Sequence, residues 1–72
     1  MVDVKVKEMI VDLINKIPRG RVFTSHRILT AIKKEVYIEK EQSILRSIVM
    51  ELKRRKDVEY LEKRNRILYK KV

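Results

Sequence analysis

Cysteine and tryptophan are absent from the 72-residue chain, and histidine, glycine and proline occur once each. Without thiols there are no disulfides and no thiolate metal sites, and a single imidazole is too little for a metal cage built by the protein. No cofactor or small-molecule ligand is therefore expected. Aromatic residues make up only 6% of the chain, so the core must be aliphatic. No apolar run approaches the roughly 18 residues that cross a membrane. The opening MVDVKVKEM alternates charge with valine, unlike the apolar segment of a secretory leader. A cytoplasmic protein with no membrane partner is the expectation. Catalysis finds no support either. There is no cysteine nucleophile and no glycine-rich phosphate loop, and the expected packing brings together no triad of Ser, His and acid, since His26 lies on a basic rim with Arg19, Arg21 and Arg27.

What the chain does have is aliphatic side chains at regular spacings and a large positive charge. Charged residues form 40% of it and the net charge is +9. A domain this small buries only about 60% of the surface its unfolded chain exposes, so its stability margin is thin. Plentiful Lys, Glu, Arg and Ile fit a heat-adapted, archaeal type of proteome. The charge is uneven. Residues 1 to 18 balance Lys5, Lys7 and Lys16 against Asp3, Glu8 and Asp12, whereas residues 53 to 72 set nine bases against Asp57, Glu59 and Glu62, a balance of +6. A positive end of this kind points to nucleic acid.

Periodicity divides the chain. Val2, Val6, Met9, Ile10, Leu13, Ile14 and Ile17 recur at three and four, which predicts a helix over about 3–17 with Asp3 at its start and Pro18 and Gly20 ending it. Residues 21–24 read as a short strand. Thr24 or Ser25 then caps a second helix over about 25–36. Leu45, Ile48, Val49 and Leu52 predict the buried stripe of a third helix over about 39–55. Residues 58–72 carry two patterns. As a hairpin turning at Arg64-Asn65 they pair Tyr60 with Tyr69 and Leu61 with Leu68. As a helix they place Val58, Leu61, Asn65, Leu68 and Val72 at coiled-coil steps. The hairpin is favoured, because the lone strand at 21–24 needs a partner for its backbone groups. The expected class is mostly α with a small antiparallel hairpin, in the order helix, strand, helix, helix, strand, strand.

That order, with LRSIVMELKRRKDVEYLEKRNRILYKK and PRGRVFTSHRILTAI as its clearest stretches, resembles the winged helix-turn-helix family of small archaeal and bacterial regulators over essentially the whole chain. The glycine common between recognition helix and wing is replaced here by Lys56-Asp57, and the third helix opens on Glu39 and Glu41. The resemblance implies double-stranded DNA as partner, a transcriptional and nucleoid-associated role, and helix three as the recognition helix. If the stripe above is buried, Lys40, Ser43, Ser47, Met50 and Arg54 lie opposite it, with Arg46 and Lys53 at one margin. Small serines admit a helix to the major groove, and arginine matches guanine edges or phosphate. Lys63, Arg64, Asn65 and Arg66 form the wing tip, set for phosphate or a narrow minor groove. Arg21, Thr24, Ser25, His26 and Arg27 form a candidate phosphate clamp at the start of helix two. Tyr37, Tyr60 and Tyr69 read as packing residues with a wet hydroxyl. Val4 and Val11, outside the stripe of helix one, suggest a patch for a homodimer. Three rival readings stand beside this one, nonspecific chromatin coating among them. A protein-interaction module would use Ile44, Met50 and the acidic start of helix three, and an RNA or single-strand binder would stack bases on Tyr60 and Tyr69.

Overall fold

The computed structural model describes residues 4–72, so the expectations placed on Val2 and Asp3 lie outside the described residues. Three helices and a three-stranded antiparallel sheet follow in the order α1 (Val4–Lys16), β1 (Val22–Phe23), α2 (Ser25–Lys33), α3 (Glu41–Arg54), β2 (Val58–Lys63) and β3 (Arg66–Lys71). This is a small mixed α+β fold. No helix among the described residues is long and apolar enough to cross a membrane.

Each boundary has a local cause. Helix α1 stops before Pro18, and a turn follows in which Arg21 N–H donates to Pro18 O while Gly20 takes φ +88°, the positive value that a type II turn needs at its third residue. Thr24, not Ser25, caps α2: its Oγ accepts from Arg27 N–H. That helix ends at Lys33, three residues short of the expected Val36. Helix α3 begins at Glu41, two residues later than expected, with no side-chain cap. A Lys33–Glu41 ion pair ties the two helices across the intervening turn.

The hairpin model of residues 58–72 holds. Arg64 and Asn65 both adopt positive φ, 47° and 65°, the signature of a two-residue I′ turn. The ladder sets Tyr60 opposite Tyr69 and Leu61 opposite Leu68. Strand β1 finds its partner in β3, with Val22 opposite Lys70 and Phe23 opposite Tyr69. The sheet order is β1-β3-β2.

One aliphatic core joins these pieces. Val6, Ile10 and Ile14 of α1 meet Ile28, Leu29 and Ile32 of α2, Ile44, Ile48 and Leu52 of α3, and Phe23 and Tyr69 of the sheet. The Phe23 and Tyr69 rings stack at 6.0 Å, and Tyr60 meets Tyr69 edge-on at 6.0 Å. Burial, with Tyr60 beside it, pushes the Tyr69 phenol above its ordinary pKa.

Two ionic elements close the far side of this core. Lys71 is buried, and its ammonium donates to Ile14 O (2.8 Å) and Ile17 O (3.2 Å) at the C-terminal end of α1. A cation is favoured there both by the carbonyls of the helix end and by the helix dipole. Arg55 grips both oxygens of Asp57 at 2.8 Å and reaches Asn15 Oδ1 at 2.6 Å, while Lys71 Nζ lies 3.6 Å from Asp57. The Arg55 guanidinium, more than any other group, holds Asp57 down to a pKa of about 2 from its ordinary 3.8. A carboxylate depressed in the folded chain stabilises it fully above pH 4 and loses that contribution as the pH falls from 4 to 2. The Asp57 side chain is 38% exposed, so solvent screening reduces the contribution to about 1 kcal/mol. Denaturant titrations at pH 6 and pH 2.5 are expected to differ by roughly two thirds of that more in the parent chain than in an Asp57→Asn variant. An equal acid sensitivity in both would remove Asp57 from the account.

Candidate nucleic-acid interface

Helix α3 is rotated from its expected pose. Ile44, Ile48, Glu51 and Leu52 are buried, Leu45 packs partly against the core, and Val49 is half-buried. The expected stripe of Leu45, Ile48, Val49 and Leu52 is thus centred one residue too far along. The cause is Glu51, which is 8% exposed and receives both carboxylate contacts from Arg54 Nη2, at 2.8 and 3.0 Å. Neutralised by an i,i+3 arginine, a glutamate can face inward where a hydrophobic pattern admits none.

The rotation reassigns the exposed face. Arg46, Met50 and Lys53 now form its central line, with Met50 66% exposed. Ser43 and Ser47 move to a flank, where the half-buried Ser47 Oγ donates to Ser43 O at 3.1 Å. Arg54 is committed to Glu51, and Lys40 is the exposed N-cap residue instead of a member of the helical face. Ile44 is core, so it cannot serve the protein-interaction surface expected of it. Glu41 is paired with Lys33, which removes much of the acidity at the start of α3, while Glu39 stays exposed.

The residues expected at the hairpin tip come together. Lys63, Arg64 and Arg66 line one open groove at the hairpin tip with Leu68, and Asn65 completes the turn. All four are exposed. Strand alternation places Lys63 and Arg66 on the outer face of the sheet with Leu61 and Leu68, opposite the face carrying Tyr60 and Tyr69. A second shallow groove, on the inner face, runs between α3 and the hairpin and is lined by Leu52, Lys53, Val58, Tyr60 and Tyr69. The basic line of α3 therefore leads to Tyr60, a half-exposed residue expected to pack or, in the single-strand reading, to stack on bases. Lys63 and Arg66 leave the ribbon on its far side, and Arg64, at the turn, lines the same groove.

At the start of α2, Arg21 and Arg27 share an apolar groove with Lys16, Ile17 and Phe23. His26 is exposed, and Ser25 is the first helical residue. Thr24 Oγ accepts from Arg27 N–H, which occupies that amide of the expected clamp and leaves the hydroxyl proton free to donate. The tyrosines part company. Tyr69 is buried and closed to base stacking, Tyr60 is half exposed, and Tyr37 is 88% exposed, not the packing residue expected. Among the described residues Arg46, Lys53, Lys63, Arg64 and Arg66 are exposed and enter no ion pair or side-chain hydrogen bond.

No family model matches the chain. Comparison with curated proteins and with solved structures likewise finds no match.

Proposed function

We propose that the chain binds double-stranded DNA in the manner of a winged helix-turn-helix regulator, with α3 in the major groove and the hairpin tip on the backbone or minor groove. The observation that carries this reading is Arg64 at φ 47° between Lys63 and Arg66. An I′ turn is best made by Asn-Gly, and a long side chain in the left-handed region costs about 1 kcal/mol. Setting Lys63 opposite Arg66 adds a like-charged cross-strand pair, which is also unfavourable. A chain with a thin stability margin keeps both features at one point, and a polyanion offsets both. The exposed line Arg46, Met50 and Lys53 supplies groups that read guanine edges, phosphate and the thymine methyl.

Titration of a labelled duplex, a single strand and an RNA at two salt concentrations tests the reading. With about five or six phosphate contacts per monomer, the logarithm of duplex affinity should fall against that of salt with a slope of roughly −4 to −6. Duplex should outcompete single strand, since the buried Tyr69 leaves no paired stacking platform with Tyr60. Binding indifferent to salt would rule the proposal out.

Tyr37 and Met50, both strongly exposed, favour a second reading as an interaction module for a protein partner. Recovery of one stoichiometric protein and no nucleic acid would select it.

A further inference from the structure

Strand β2 has a bare edge. The order β1-β3-β2 leaves it outermost, and no strand among the described residues pairs with that side. Which backbone groups it presents follows from the ladder. Asp57 O accepts from Val72 N–H at 2.9 Å, so the odd-numbered residues of β2 turn their N–H and C=O toward β3. A hairpin closed by a two-residue turn demands the same of Lys63 and Arg66. Val58, Tyr60 and Glu62 therefore point theirs outward. An open edge is a template for another strand, and its side chains decide which strand fits.

On the outer face β2 carries Glu59, Leu61 and Lys63 in that order. This sequence is its own complement when reversed. Laid antiparallel against a second copy about Leu61, each Glu59 meets the other copy's Lys63, and the two Leu61 side chains meet on the axis. These three are non-hydrogen-bonded pairs, where side chains approach most closely, and the intervening hydrogen-bonded pairs join Tyr60 to Glu62 through outward-pointing groups. A slip of one residue mismatches the backbone groups. A slip of two sets Leu61 against a charge, either Glu59 or Lys63. One register alone satisfies both the hydrogen bonds and the charges.

We infer that β2 is a self-recognition edge, and that two copies pair through it about a two-fold axis at Leu61 to form one continuous six-stranded sheet. The contact is narrow and each copy carries +9, so the dimer belongs with weak interfaces. Its selectivity comes from the charges: an edge lysine repels most foreign strands, and here only a second Glu59 answers it.

Sedimentation equilibrium of the full chain from about 10 µM to 1 mM covers the weak-interface range and is expected to show a reversible dimer. Glu59→Lys and Lys63→Glu should each raise the dissociation constant about tenfold or more by placing like charges opposite one another twice. The double variant should return to within about threefold of the parent. An equimolar mixture of the two single variants should associate as a heterodimer. Lys63→Glu is the sharpest case, because it lowers the net charge from +9 to +7. General repulsion predicts tighter association for it, whereas edge pairing predicts weaker. Glu62→Pro removes an outward N–H without touching the β2–β3 ladder and should leave a monomer. Circular dichroism confirms folding, and where Glu62→Pro unfolds the mixing experiment decides. A monomer at every concentration overturns the inference. So does a dimer indifferent to charge reversal, which would place the contact elsewhere, for instance in the α1 groove of Val4, Lys7, Glu8, Val11 and Asp12.

Discussion

Replacing Lys71 by methionine is expected to lower stability by about 2 kcal/mol and the melting temperature by roughly 10 °C. Methionine fills much the same space, so the loss is not a cavity effect. What disappears is the ammonium that caps α1: Ile17 O loses its donor, while Ile14 O keeps a bond from Ile17 N–H at 3.1 Å. A buried carbonyl without a partner costs on the order of 1–3 kcal/mol, and the helix end also loses its compensating charge. Two opposing terms exist. Methionine avoids the desolvation of a buried cation, and the net charge falls from +9 to +8. They reduce the loss without cancelling it, because Asp57 keeps Arg55 as its main partner and the Ile17 carbonyl stays unpaired. Lys71→Arg retains the charge in a bulkier form and should recover part of the stability. A melting curve unchanged by Lys71→Met would show that water serves these carbonyls as well as the lysine does.

The same residue shows where the sequence could be read and where it could not. The hairpin and its register were legible because a turn-forming Asn and two matched pairs, Tyr60 with Tyr69 and Leu61 with Leu68, agree on one alignment. Strand alternation carries that alignment further. Lys71 lies two residues beyond Tyr69 and so must share its inward face, yet its charge marked it as surface. The signal was in the spacing, and the residue type concealed it. Glu51 failed for the same reason: a glutamate breaks a hydrophobic stripe on any apolar scale, but the arginine three residues later makes it fit to bury. Rotating α3 on that pair moves Arg46 and Lys53 from the margin to the centre of the exposed face. The Lys33–Glu41 bridge had no sequence signal at all, since it depends on the path of the turn between two helices. Charges that fold inward or pair locally were the illegible part. Among the site residues this tied Arg54, still 73% exposed, to Glu51.

Arg64→Gly is expected to move stability and duplex affinity in opposite directions. Glycine adopts φ 47° without the penalty an arginine incurs there, so the hairpin should gain about 0.5–1 kcal/mol. At 0.1 M salt one phosphate contact is worth about tenfold in affinity, so binding to every duplex should weaken by that factor, with the salt slope shallower by about 1. A residue kept for folding alone would lose nothing by this exchange. Lys63 and Arg66 leave the ribbon on its outer face, whereas the basic line of α3 meets the inner face at Tyr60. Their replacement by serine should therefore cost less per charge than Arg64→Gly if the duplex lies against α3 and touches only the tip. Arg46→Ala, on the central line of α3, should instead change the ranking of duplexes by about 1–3 kcal/mol at one base position. The set separates three geometries. Loss confined to Arg64 and Arg46 places the duplex on the inner side, and equal loss at all three tip cations has the wing straddle the backbone. Loss at Lys63 and Arg66 with none at Arg46 would assign the polyanion to the outer face of the sheet and take α3 out of the interface.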